Sequence, residues 1–114
     1  MDWRVLLHED FAAEVEEFAG PVRRELLALI GLLERFGPHL GRPHCDTLNG
    51  SRHANMKELR FNAGDGAWRI AFAFDPERDA VLLVGGDKSG GSSAKFYKAL
   101  IKIADRGFDD WLKE

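Results

Sequence analysis

Met56-Lys57-Glu58-Leu59-Arg60-Phe61, Ala67-Trp68-Arg69-Ile70-Ala71-Phe72-Ala73-Phe74 and Ala80-Val81-Leu82-Leu83-Val84 are the three runs whose reading decides the fold. They are separated by Asn62-Ala63-Gly64-Asp65-Gly66 and Asp75-Pro76-Glu77-Arg78-Asp79, both rich in residues that accept turn geometry. Aromatic and branched runs between such turns predict an antiparallel three-strand meander. Alternation puts Trp68, Ile70, Phe72 and Phe74 on one face of the middle strand and Arg69, Ala71 and Ala73 on the other. On the preceding strand Glu58 and Arg60 share a face, opposite Lys57, Leu59 and Phe61. With Leu59 and Phe61 in the core, Arg60 joins Arg69. Two readings of that second face stand open. Small alanines beside guanidinium groups make a groove suited to phosphate; alternatively, both arginines are solvated strand residues paired with Glu58, since alternation alone places polar residues outward.

Working outward, Trp3-Arg4-Val5-Leu6-Leu7 reads as a short first strand that pairs with the meander. Asp10 is the expected N-cap of a first helix carrying Phe11, Val15 and Phe18, which Gly20-Pro21 interrupts. Pro21 suits the first turn of a second helix, whose stripe is Val22, Leu26, Leu29, Ile30, Leu33 and Phe36, with Gly37-Pro38 as its stop. The two form a helical hairpin that needs an apolar surface, and the Trp68/Ile70/Phe72/Phe74 face supplies one. The arginine face is then expected to stay open. Residues 37–54 have no usable period and read as a long loop. After Val84, Gly85-Gly86-Asp87-Lys88-Ser89-Gly90-Gly91 lacks the spacing of a phosphate-binding nucleotide loop and reads as a turn, with Ser92 or Ser93 capping a last helix. That helix carries Phe96, Leu100, Ile103 or Ala104, Phe108, Trp111 and Leu112, and Lys95, Lys98 and Lys102 lie off the stripe as a solvated row.

The 114 residues, 45% of them apolar, suit one hydrophobic core and a single domain. No apolar run reaches the roughly 18 residues of a membrane span, and the N-terminus lacks the order of a signal peptide, so a cytoplasmic protein is expected. The single cysteine, Cys45, excludes an internal disulfide. His39, His44 and Asp46 lie near it without the paired spacing of a zinc site, and no metal or other cofactor is expected. A thiol nucleophile paired with His44 or His53 has equally little support. Net charge is −3, unevenly spread: residues 51–106 hold ten Lys/Arg against seven Asp/Glu, while residues 1–50 hold five against nine. The positive excess sits on the meander and the element after it, which permits a phosphate-binding surface.

Leu48-Asn49-Gly50-Ser51-Arg52-His53-Ala54-Asn55-Met56-Lys57-Glu58-Leu59-Arg60, then Trp68-Arg69-Ile70-Ala71-Phe72, then Asp87-Lys88 resembles the RelE/ParE superfamily of toxins from type II toxin-antitoxin pairs, close to its phage-derived HigB-like branch. The most specific piece is Glu-Leu-Arg followed, across a glycine turn, by aromatic-Arg-hydrophobic. The resemblance implies an α+β fold: a compact RelE-like antiparallel sheet, an N-terminal helical hairpin packed on one face, and a C-terminal helix. It also implies a ribosome-dependent mRNA endoribonuclease, with a cognate antitoxin, typically a small helix-turn-helix protein, and with the ribosome and mRNA as partners. Carried over residue by residue, Arg69 matches the arginine that contacts the scissile phosphate, Arg60 the basic residue after the leucine, and Lys88 the basic residue at the last strand's exit. Tyr97 or Phe96 matches a C-terminal aromatic that stacks on a base. The chain departs from the pattern two residues before Arg60, where Glu58 replaces a lysine; Lys57 is one position off and on the other face. The implied chemistry, attack of a ribose 2′-hydroxyl on the adjacent phosphorus, needs no metal but does need proton transfer and charge stabilisation. Arg60, Arg69 and Lys88 suit the electrostatic role. Of His53, Glu58, Lys57 and Tyr97, His53 or Glu58 is the expected proton-transfer group; Arg52, Lys57, Lys95 and Tyr97 are candidate RNA contacts. The superfamily also holds non-cleaving members, so a gyrase-inhibiting ParE-like toxin or a module that binds only antitoxin or RNA is the alternative.

Overall fold

The meander forms as its alternation predicts. In the computed structural model, which describes residues 2–114, β3 (Lys57–Ala63), β4 (Gly66–Phe74) and β5 (Ala80–Asp87) pair antiparallel in sequence order. Ala63 opposite Gly66 leaves Gly64-Asp65 as a two-residue turn, and Gly64 takes the left-handed φ of 57° that such a turn demands. The second turn is closed twice by Asp75, whose backbone N–H donates to Asp79 O and whose Oδ1 accepts from Asp79 N–H, both at 2.9 Å.

Two further strands complete one five-stranded sheet of order β1-β5-β4-β3-β2. The first, β1 (Val5–Leu7), joins the meander as expected, and does so parallel to β5. The other, β2 (Cys45–Thr47), was not expected: the stretch read as a plain loop contains a 3-10 turn at Gly37–His39, a cis Arg42–Pro43 peptide and this short strand, antiparallel to β3. Three residues are too few for a period to show, and pairing with Lys57–Leu59 rather than local propensity makes them a strand.

Helices α1 (Glu9–Glu17) and α2 (Gly20–Phe36) cover the face expected of them. Phe11, Val22, Leu26, Leu29 and Leu33 pack with Leu59, Phe61, Ile70 and Phe72 in a first core. The N-cap of α1 is His8 and not Asp10: the imidazole Nδ1 accepts from Asp10 N–H at 3.1 Å. Phe36, assigned to the α2 stripe, is in fact 44% exposed. Gly37 ends α2 at φ 54°, and an added Cβ there would stand 2.4 Å from the Trp3 ring.

The arginine face is not open. The last helix, α3 (Ser93–Leu112), capped by Ser92 as expected, lies over it. Leu100, Ala104 and Phe108 pack on Met56, Ala71, Ala73 and Val81 in a second core. The small alanines of β4 make room for a helix, not for a ligand. A bulge assists: pairing jumps from Ala71 opposite Val84 to Phe72 opposite Leu82, so Leu83 has no opposite number. Leu83 and Val84 therefore both enter the second core, while Leu82 enters the first. The stripe uses Ala104, leaving Ile103 and Leu112 exposed. No helix among the described residues is long and apolar enough to cross a membrane.

Candidate functional site

Register places Arg60 directly opposite Arg69, and Glu58 opposite Ala71, all on the face beneath α3. Glu58 is only 4% exposed, so its charge needs partners. It has three. Arg60 Nη1 donates to Oε2 at 2.8 Å, the Tyr97 hydroxyl donates to Oε1 at 2.9 Å, and Arg69 Nε lies 3.9 Å from Oε1. Arg69, itself 7% exposed, donates from Nε to the Tyr97 hydroxyl at 3.3 Å and from Nη1 to Trp68 O at 2.8 Å. Tyr97 is thus a hub, accepting from one site residue and donating to another. Burial, and after it the bond to Glu58, raises its phenol above the ordinary value, which keeps the hydroxyl proton in place at neutral pH.

Gly86 lets α3 come close enough for this, while Gly85 makes room for Ile70 and Phe11 on the opposite face of the sheet. Gly86 is opposite Arg69, and an added Cβ would stand 3.0 Å from the Phe96 ring; one on Gly85 would stand 2.5 Å from Ile70 Cδ1. Lys88 lies beyond the end of β5, its N–H donating to Ala67 O at 2.8 Å, which continues the ladder. Register therefore puts it on the Arg69 side of the sheet, one pleat repeat away, about 7 Å.

The remaining candidates are not gathered here. His53 Nε2 is bonded to Asp109 Oδ1 at 2.8 Å, with its ring edge-on to Phe108. Asp109 is twelve residues after Tyr97 on α3, about 18 Å along the axis, so His53 is out of reach of the arginine pair. Arg52 is held beside it by Asp109 and Asp105, and Ser51 Oγ donates to Asp105. Asp109's carboxyl is lowered first by the His53 bond and then by Arg52. These residues pin the loop before β3 onto α3. Lys57 faces α2, on the Leu59 side of the sheet. Lys95 is exposed in the first turn of α3.

A groove of about 410 Å³ opens at the edge of β3 that short β2 leaves uncovered. Arg60, Arg69, Asn62 and His44 line it, with Glu25 and Leu32 of α2 on the opposite rim. His44 and Asn62 went unremarked as partners of the arginines because a loop without period gave no register; the bond from Arg60 N–H to His44 O at 2.8 Å supplies it. Cys45, next in sequence, is buried, and burial pushes its thiol up to about 11, which leaves it inert as a nucleophile. A separate cleft of about 280 Å³, between Asp75, Glu77, Trp111 and Glu114, has Arg4 as its one cation among the described residues, against three carboxylates, and does not suit phosphate.

The family model described as phage derived protein Gp49-like matches residues 13–109. The chain belongs to this Gp49-like family. Among its relatives is a Mycobacterium tuberculosis protein named toxin HigB3, 47% identical over 103 residues, spanning 87% of this chain and 88% of the relative. A second M. tuberculosis protein, named toxin HigB2, is 47% identical over 90 residues, covering 78% of this chain and 44% of that protein's length. The fold is that of Escherichia coli toxin RelE: a free arginine-to-alanine double variant superposes with a TM-score of 0.62 at 13% identity, over 90% of this chain and 96% of that one. This Gp49-like chain thus has relatives named HigB toxins and a RelE-like fold, in keeping with the resemblance of its Glu-Leu-Arg and Trp-Arg-Ile segments.

Proposed function

We propose that this chain is the toxin of a type II toxin-antitoxin pair and a metal-independent endoribonuclease that cleaves mRNA on the translating ribosome, in the cytoplasm. The observation that carries the reading is the cross-strand pair Arg60–Arg69, which shares a groove and is held in position by Glu58 and Tyr97. Two guanidinium groups fixed before substrate arrives stabilise charge that develops on phosphoryl oxygens, without reorganisation at the moment of reaction. Arg60 is the more accessible, with 21% of its side chain exposed against 8% for Arg69. Lys88 adds a third cation on the same side. Glu58, bound by Arg60 and Tyr97, orients the pair. The kinship with proteins named HigB supports the toxin role and implies an antitoxin partner, expected to be a small helix-turn-helix protein.

The net charge supports ribosome dependence. A chain of net −3 lacks the field that holds free RNA by counterion release, so orientation must come from a partner that already holds the message. Primer extension on one mRNA, with purified protein, with and without translating ribosomes, tests this. Codon-phased cuts confined to the translated sample are expected. Equal cleavage of naked RNA refutes ribosome dependence. The mutual burial of Glu58 and Arg69 favours one second reading, a non-cleaving ParE-like gyrase inhibitor; growth arrest without cleavage in either sample selects it.

A further inference from the structure

We propose that His44 is the proton-transfer residue of the Arg60–Arg69 groove, taking the proton of the attacking ribose 2′-hydroxyl. This rests on the endoribonuclease reading and names a residue for it. Both groups first considered for the step are otherwise engaged: His53 is bonded to Asp109, and both oxygens of Glu58 are bonded, one to Arg60, the other to Tyr97. His44 lines the groove with both arginines, and its backbone carbonyl accepts from the Arg60 N–H at 2.8 Å, which sets the two residues side by side at the strand edge. His44 is half-buried, and among the described residues no hydrogen bond or ion pair engages its imidazole, so its nitrogens are open to what enters the groove. Imidazole is the side chain that exchanges protons most readily near neutral pH.

As the O2′–P bond forms and the P–O5′ bond breaks, imidazole accepts the 2′ proton; the departing 5′-oxygen takes a proton from water; imidazolium returns its own to solvent. The products are a 2′,3′-cyclic phosphate and a 5′-hydroxyl end. The charged groups facing His44 are Glu25 from α2, Arg60 and Arg69 from the sheet, and the Arg42–Asp46 ion pair, 2.7 Å, on its own segment.

The test is single-turnover cleavage on mRNA-programmed ribosomes between about pH 5 and 8. His44→Gln is expected to lower the rate about 100-fold and to remove the fall in rate at acid pH, with ribosome binding and thermal stability unchanged. His39→Gln, exposed on the same segment and outside the groove, is expected to cleave like the wild type. Wild-type cleavage by His44→Gln, or a lower rate with the acid limb intact, overturns the proposal while leaving the endoribonuclease reading standing. A wild-type protein that never cleaves overturns both. Should the variant fail to fold, NMR of the wild-type imidazole decides: its signals are expected to shift with adenosine 3′-monophosphate, and unmoved signals at saturating nucleotide overturn the assignment.

Discussion

Tyr97 holds the arginine face together through a single oxygen, so removing that oxygen is the sharpest test of the constellation. Tyr97→Phe leaves Glu58 Oε1 and Arg69 Nε each short of a partner in a buried setting. A loss of about 1–3 kcal/mol in chemical denaturation is expected, together with weaker growth arrest. Arg69→Ala is expected to abolish arrest and also to lower stability by about 1–3 kcal/mol, because the guanidinium is buried against Tyr97 and Trp68 rather than displayed on an open surface. An alanine variant as stable as the wild type refutes that packing. Asp109 gives a pH signature. Its carboxyl is depressed in the fold, so its contribution is complete above the unfolded-chain value of about 4 and disappears as pH falls through the lower folded value. Thermal melts from neutral to strongly acid pH are expected to show a smaller acid loss for Asp109→Asn than for the wild type.

At the scale of elements, what decides the site is where α3 lies. The meander was legible because Trp68, Ile70, Phe72 and Phe74 alternate with Arg69, Ala71 and Ala73 between unmistakable turns. The hairpin was legible for the same reason at helical period. The face chosen by α3 was not, since a stripe of Phe96, Leu100, Ala104 and Phe108 says that a helix is amphipathic and not which surface receives it. Ala71 and Ala73 were the available signal: small side chains opposite a helix and small side chains lining a groove look alike in sequence. Alternation and resemblance single out Arg60, Arg69, Glu58 and Lys88, which the sheet carries on one side; His53 lies away from them on Asp109, and the place of His44 beside Arg60 could not be read because loop residues carry no register. Gly85 and Gly86 now acquire a reason. Gly85→Ala forces its Cβ toward Ile70 Cδ1, and a loss of about 1–3 kcal/mol is expected in chemical denaturation, more than for Gly31→Ala, whose Cβ meets nothing within 4 Å.

For the molecule as a whole, the parallel pairing of β1 with β5 has a bearing on its manufacture. Val5 meets Ala80, and the Arg4 guanidinium meets Asp79, across 75 residues of chain. The first strand therefore waits, at about 5–20 residues per second of synthesis, for several seconds before its neighbour exists. The ordering is stricter for Tyr97, which arrives later still and on the element that closes the arginine face. A cell that makes this protein is thus expected to meet no competent site until α3 has been synthesised and docked. Truncation after Asp87 is expected to give a product that leaves growth unaffected and is cleared by proteases, which a growth curve and a pulse-chase measurement would register.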